Sequence, residues 1–227
     1  MKILALDTAV SACSVALWRD GGVCARRYEL MQRGHAEALM PMVEDVLATA
    51  GERILGLDLL AVTIGPGAFT GLRVGLAAAR GMALASALPC LGITSLEAVA
   101  HAIPDVERQE DTVLVVLNSR TKILFAQFFS AGLESLSSPL ALAAEDLARD
   151  ISHSPLLVAG DAAELVAQKL TETGIKTTPS SAPALPDAAM VAAIAARRWR
   201  PEQTVKPPFP LYLRPPAAIP AKNGGRP

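Results

Sequence analysis

The chain has 227 residues, 51% of them hydrophobic, enough for one large domain or two small ones whose cores need no covalent staples. Against 22 Asp and Glu stand 21 Lys and Arg, a formal net charge of −1 with only 4% aromatic residues, which excludes broad electrostatic attraction for nucleic acid and leaves room only for a local basic patch. Cys13, Cys24 and Cys90 are odd in number and lack CxxC spacing, which excludes a disulfide framework and a cysteine zinc site, and no apolar run is long enough for a membrane helix.

In chain order, Lys2 to Leu6 reads as a short apolar strand closed by Asp7-Thr8, and Asp7 interrupts the run too early for a signal peptide, so a soluble cytosolic protein is expected. Ser14 to Trp18 and Val23 to Leu30 follow as strands around the hairpin signal Asp20-Gly21-Gly22. Asp7, at a strand end, has two readings: a carboxylate placing a metal-bound phosphate, or an Asx turn closing the strand. From His35 to Ala50 the apolar positions Leu39, Val43, Val46 and Leu47 mark an amphipathic helix stopped by Gly51, with Pro41 demanding a helix that starts just before it or a kink.

Leu59 to Ile64 is uninterrupted and β-branched, the pattern of a strand buried on both faces. Gly65-Pro66-Gly67 breaks it and releases a helix that runs to about Leu88-Pro89. Gly67, Gly71, Gly75, Ala79 and Ala83 recur every fourth residue, so one helix face carries almost no side-chain bulk. Glycine inside a helix costs about 1 kcal/mol relative to alanine, and something must offset it. Three readings compete: tight packing of the helix on its own sheet or a neighbouring helix, an anion held at the helix N-terminus, or docking of another subunit. Arg73 and Arg80, seven residues apart, lie on a different stripe.

Cys90 to Ile93 is the next strand, and Thr94 with Glu97 has capping-box spacing for a further helix. The first hundred residues thus run βββαβαβα, a ribonuclease-H-like layout of mixed sheet and helices. Polar residues from Pro104 to Asp111 form a boundary. Beyond it, strands are expected at Val113 to Leu117, Leu124 to Phe129 and Leu156 to Ala159, the last ending in Gly160-Asp161, and helices at Ala144 to Ile151, Ala162 to Thr171 and Asp187 to Trp199. The second half reads as a shorter version of the first, giving lobes 1–105 and 106–200 around a cleft rimmed by Asp7, Gly65 to Gly67 and Gly160-Asp161. Residues 201–227 are proline-rich and cannot form a regular helix; an extended segment packing Phe209, Leu211 and Tyr212 is expected, then a disordered tail after about Pro216. Arg197, Arg198, Arg200 and Arg214 form a local basic cluster.

LALDTAVSACSVAL at Leu4 to Leu17, GHAEALMP at Gly34 to Pro41 and GPGAFTGLRVGLAAARGMA at Gly65 to Ala83 resemble the TsaB (YeaZ) family. So do TSLEAVA at Thr94 to Ala100, VAGDAAE at Val158 to Glu164 and PLYLR at Pro210 to Arg214, so the resemblance spans most of the chain. It implies an α/β fold of two ribonuclease-H-like lobes in the actin-like ATPase superfold. It also implies a role in making N6-threonylcarbamoyladenosine in transfer RNAs that read ANN codons. There the family serves as the non-catalytic partner of TsaD, with TsaE supplying an ATPase, a homodimer when TsaD is absent, and transfer RNA met only through the complex.

The catalytic paralogue carries a metal-binding HxxxH pair after the strand that follows the GPG helix; here that region reads Gly92-Ile93-Thr94-Ser95-Leu96-Glu97-Ala98, with no histidine before His101. An accessory subunit with no catalytic residues and no metal is therefore implied. Its partner interface is expected on His35, Leu39, Val43, Phe69, Gly71, Leu72, Val74, Gly75 and Ala78. Cofactor binding is expected to be at most weak ATP or ADP with magnesium, in the complex, through Asp7, Thr8, Gly65, Gly67, Gly160 and Asp161. Asn118-Ser119-Arg120 stands where Asp-Ala-Arg is more usual, which removes an acid from that turn. Two alternatives stand beside this reading: a small-molecule kinase or ATPase of the same superfold with Asp7 placing magnesium, and, more remotely, a peptidase, for which no nucleophile, base and orienting group are arranged.

Overall fold

A computed structural model describes residues 1–109, 111–147, 151 and 155–213. Strands β1 (Lys2–Asp7), β2 (Ala12–Arg19) and β3 (Gly22–Leu30) form an antiparallel meander. Asp20 and Gly21 both take positive φ at the β2–β3 hairpin, the backbone that such a tight turn needs to match strand twist. β4 (Leu59–Gly65) then lies parallel to β1, and β5 (Cys90–Thr94) parallel to β4, so the sheet order is β3-β2-β1-β4-β5. Parallel neighbours require long crossovers, and two helices supply them: α1 (His35–Ala50) and α2 (Phe69–Ser86). Pro41 lies inside α1 on its exposed side, and Gly51 ends the helix with positive φ.

α3 (Ser95–Ala100) begins as its spacing predicts: the Thr94 hydroxyl accepts the Glu97 amide hydrogen. The Glu97 carboxylate does not close the capping box and pairs with Arg198 instead. After the short α4 (Asp105–Arg108), the second sheet repeats the first. β6 (Thr112–Asn118), β7 (Ile123–Phe129) and β8 (Leu140–Ala143) pair antiparallel, and β9 (Leu156–Ala159) and β10 (Thr177–Pro179) add in parallel, in the order β8-β7-β6-β9-β10. The same order twice is an internal duplication. β8 and β10 escape a sequence reading because four and three residues are too few to show a period, and Thr177–Pro179 offers no apolar side chain. α5 (Ala144–Leu147) occupies the start of the helix expected to Ile151; residues 148–150 of that expectation lie outside the described residues. α6 (Ala163–Glu172) lies against the second sheet.

α1 and α2 cover one face of the first sheet, packing Leu39, Val43, Val46 and Leu76 on Leu4, Leu6, Leu60 and Val62. The opposite face is covered by α7 (Ala188–Arg198), whose Ala188, Val191, Ala192 and Ile194 meet Ile3, Ala5, Leu59 and Ala61. Thus positions 106–200 do not all stay with the second sheet. The apolar reverse face of the first sheet needs cover, and an alanine-rich helix can approach it closely. Asp187 caps α7 through the Ala189 amide at 2.8 Å and pairs with Arg26 of β3. A third cluster joins the lobes: Leu96, Val99 and Ala100 of α3 pack with Ala9, Leu72, Val113, Val115, Phe125 and Phe129.

Residues 201–213 contain no helix or strand, as three prolines at 207, 208 and 210 dictate. The segment is nonetheless sewn to the first sheet. Register slips between Thr63 and Gly65 in the β4–β5 ladder, and the Ile64 carbonyl accepts the Leu211 amide at 2.7 Å. Leu211 is half-buried, whereas Phe209 and Tyr212, expected to pack inward, are 66% and 40% exposed. Arg214, Pro215, Pro216 and the rest of the tail lie outside the described residues. No helix among the described residues is long and apolar enough to cross a membrane.

Candidate functional site

The small-residue face of α2 points inward. A Cβ on Gly67 or Gly71 would strike the backbone carbonyls of Ala9 or Thr8 closer than any real contact, and one on Gly75 would lie 2.5 Å from the Thr8 hydroxyl. The Thr8 hydroxyl donates to the Gly71 carbonyl at 2.7 Å, and the Ala9 carbonyl accepts the Ala68 amide at 2.7 Å. Glycine is therefore required here because α2 clamps the β1–β2 connection backbone to backbone. This corrects the expected partner interface. Gly71, Gly75, Leu39, Val43 and Leu72 are buried in the chain's own core, and only the side chains around them can meet a partner. Phe69 is exposed; His35, Val74 and Ala78 are half-buried, with the His35 Nε2 3.0 Å from the Val10 carbonyl.

The six residues read as a nucleotide set do not converge. Asp7 is fully buried and faces α7, with its Oδ1 accepting the Thr63 hydroxyl at 2.5 Å and the Ala9 amide at 3.1 Å, while Oδ2 has no partner. Its antiparallel partner Ser14 accepts the Ala188 amide at the start of α7, on the same side of the sheet. Burial raises the Asp7 pKa from 3.8 to about 7, outweighing the two hydrogen bonds, and nearby Asp187 adds to the rise. Thr8, Gly65 and Gly67 are used in packing, and the Gly160 backbone lies against the Val116 carbonyl with φ of 106°. These residues do not fit a magnesium-phosphate site by themselves: the one fully buried carboxylate is enclosed within the fold and does not line the inter-lobe cavity.

Of that set only Asp161 lines the cavity between the lobes, with Ser11, Gln32, Asn118, Ser119 and Arg120, in a space of about 290 Å³. Asp161 accepts the Asn118 amide at 2.7 Å, and burial raises its pKa. Arg120, at the β6–β7 turn with φ of 60°, reaches across to the Ser11 hydroxyl at 3.0 Å. Gln32, Ala68 and Arg120 also line a neighbouring groove of about 470 Å³ between the first turns of α1 and α2. Ser11 lies within the LALDTAVSACSVAL segment but was given no role there, and Gln32 belongs to no motif quoted above, so neither was read as a site residue; Arg120 was visible only as part of an unusual turn. His101 stands apart, beside Arg197, its pKa lowered to about 4 by burial and by the charges of Arg197, Arg198 and Arg108.

The outward stripe of α2 is cationic and aromatic. Arg73 lies 3.7 Å from the Phe69 ring centroid and donates to the Tyr212 hydroxyl at 3.1 Å, while the Phe69 and Tyr212 rings are 5.2 Å apart. About two helical turns further on, Arg80 lies over the Phe209 ring at 5.1 Å. Thus the terminal segment, anchored at Ile64, presents two aromatic side chains to two arginines.

Two lobes with the same strand order, three antiparallel strands followed by two parallel ones, joined around an inter-lobe cleft, define a member of the actin-like ATPase superfold. The family described as "TsaD: tRNA N6-adenosine threonylcarbamoyltransferase" matches residues 19–151. TsaB, the tRNA threonylcarbamoyladenosine biosynthesis protein of Escherichia coli K12, is 48% identical over 101 residues, 44% of this chain and 43% of that protein. The aligned part of the chain therefore spans less than half the length of that relative. An uncharacterised protein of Mycobacterium tuberculosis H37Rv is 32% identical over 96% of this chain and 94% of its own length. YeaZ from Pseudomonas aeruginosa superposes with a TM-score of 0.76 at 28% identity, covering 93% of this chain and 99% of that one. The chain belongs to the TsaB/YeaZ family, on the TsaD side of the superfold.

Proposed function

We propose that this chain is the non-catalytic scaffold and activating subunit of a cytoplasmic complex that makes N6-threonylcarbamoyladenosine in transfer RNA. It binds TsaD, works with TsaE, and meets transfer RNA only through them. The names of the TsaB relatives and the TsaD-family match support the pathway. The observation that carries the accessory role is the clamp of α2 on Thr8 and Ala9. The glycine face is consumed inside the chain, and the α2 amide nearest the GPG turn goes to the Ala9 carbonyl. Nucleotide with magnesium, in this reading, binds weakly and with groups that the partner adds. What α1 and α2 offer TsaD is their outward side: Phe69, Arg73, Val74 and Ala78.

The test is reconstitution of a TsaC, TsaD and TsaE mixture with and without this chain, scoring modified adenosine. Modification should fall to background without it; undiminished product overturns the role. The alternative, a small-molecule kinase or ATPase, draws on Arg120 and Asp161 in the inter-lobe cavity. Calorimetric titration of the isolated chain with Mg-ATP separates the two, because a kinase binds it without TsaD.

A further inference from the structure

The turn Asn118-Ser119-Arg120 is fixed by its own side chains. The Asn118 carboxamide oxygen accepts the Arg120 amide at 2.7 Å, and the Ser119 hydroxyl donates to the Ile123 carbonyl at 2.5 Å, which holds Arg120 at its positive φ. From there the guanidinium reaches the Ser11 hydroxyl at 3.0 Å through one nitrogen, leaving most of its five N–H donors for a ligand. Asp161 lines the same cavity, with Oδ1 accepting the Asn118 amide at 2.7 Å and lone pairs to spare. Each charge is thus tied elsewhere, the guanidinium to the first lobe and the carboxylate to the end of β6. Among the described residues they form no ion pair with each other or with a third charge, yet they are near enough to interact: Arg120 draws the Asp161 pKa down against the larger, upward effect of burial.

Two opposite, unpaired charges in one cavity select their ligand by elimination. A simple anion that meets Arg120 also meets the Asp161 carboxylate, and a simple cation that meets Asp161 also meets the guanidinium. A molecule with both charges answers both, and the ammonium and carboxylate of a free α-amino acid sit one carbon apart. Size agrees: about 290 Å³ is at the small end of the roughly 300–1,000 Å³ of sites for drug-sized ligands. The remaining wall is Val10, Ala68 and the Gln32 carboxamide, which suits a short side chain, apolar or hydroxylated. Ala68 is also the N-cap of α2, so the positive end of that helix favours a carboxylate there. We propose that the inter-lobe cavity binds a free α-amino acid with a short side chain, its carboxylate on Arg120 and its ammonium on Asp161. Both side chains are exposed to solvent, so screening keeps the affinity in the millimolar range. The proposal rests on the cavity and is independent of the functional reading above.

The experiment is amide NMR of the full chain at neutral pH and constant ionic strength, titrated with L-serine, with ethanolamine, which lacks the carboxylate, and with L-lactate, which lacks the ammonium. Serine should move the Ser119, Arg120 and Asp161 signals along a saturating curve, and neither single ion should saturate. Arg120→Gln and Asp161→Asn should each weaken serine binding about tenfold, with circular dichroism unchanged. The two variants part on anions. Asp161→Asn removes the repelling carboxylate but keeps an oxygen for the Asn118 amide, so it should bind lactate more tightly than the parent does, whereas Arg120→Gln should not; a merely loosened turn would treat both variants alike. No saturable shift with serine, saturation by ethanolamine or lactate as readily as by serine, or the same signals moved at lower concentration by inorganic phosphate or Mg-ATP overturns the proposal. Modification in the reconstituted mixture is scored separately: a silent serine titration alongside chain-dependent modification refutes this inference alone, and undiminished modification without the chain refutes the functional reading alone.

Discussion

Replacing Asp7 by Asn should stabilise the protein at alkaline pH and do little at acid pH. The folded carboxyl titrates at about 7 against 3.8 unfolded, because burial withdraws water from it and Oδ2 finds no hydrogen-bond donor. Between those values the unfolded chain has released the proton while the folded chain keeps it. The native state then binds more protons, so stability falls as pH rises through this window and reaches its full deficit above about 7. At about 1.4 kcal/mol per unit the deficit is roughly 4 kcal/mol. Asparagine cannot ionise and keeps an oxygen for Thr63 and the Ala9 amide, but its NH2 takes the unpartnered position of Oδ2, a cost of about 1–3 kcal/mol. The net expectation is a gain of ~1–3 kcal/mol at pH 8 and a loss of up to about 2 kcal/mol near pH 4, where the folded carboxyl is neutral and the unfolded one only partly ionised, so that little of the deficit has developed. Urea unfolding of both proteins at several values from pH 4 to 9 measures it, and taking the difference at each pH cancels the other titrating groups. A difference that does not change with pH, or a variant that is weaker than the parent at pH 8, would refute the account of Asp7.

Gly71→Ala should lower stability by about 2–3 kcal/mol with the urea slope unchanged, since its Cβ meets the fixed Thr8 carbonyl rather than a side chain that can move. The same substitution at Gly81, around which the structure leaves space, should raise stability by about 1 kcal/mol, and equal effects at both positions would contradict the clamp. The His101 ring should titrate near pH 4 by proton NMR, moving upward when Arg197 is changed to Gln; a midpoint near 6.5 in the parent would show that the ring is not enclosed as described.

The fold was legible where period and punctuation were strong. Asp20-Gly21-Gly22 marked the hairpin, the bounds His35 to Ala50 of α1 follow from its apolar spacing and the glycine stop, and Thr94 marked the start of α3. The strands and helices of the first lobe, read in order, specify a meander followed by parallel crossovers. What α7 covers was not legible, because an alanine-rich helix suits either sheet and the choice depends on which apolar face is left bare. For the candidate site, the sequence exposed the glycine period but not its direction. Small residues at every fourth position fit an internal clamp and an external dock equally well, and only Thr8 and Ala9, more than fifty residues upstream, decide between them. The useful signal lay in charge: Arg73 and Arg80 mark the outward stripe because arginine is rarely buried without a partner.

The inter-lobe cluster explains why the outward faces carry the interest of this molecule. A cleft that works by opening and closing needs lobes that can part cheaply. Here α3 lies between them, with Leu96 and Val99 fully buried against Val113, Val115 and Phe125 of the second sheet. Burying each such side chain contributes about 1.5–3 kcal/mol, so parting the lobes enough to wet three of them costs roughly 5 kcal/mol or more. At that cost fewer than about one molecule in a thousand stands open. The Thr8–Ala9 clamp adds a second tie, from the first sheet to the start of α2, and Arg120 a third, across the cavity to Ser11. A frame held in this way keeps the relative positions of α1 and α2 constant whatever occupies the cavity. That constancy is what a docking surface on α1 and α2 requires, since a preorganised face loses less freedom when a partner binds.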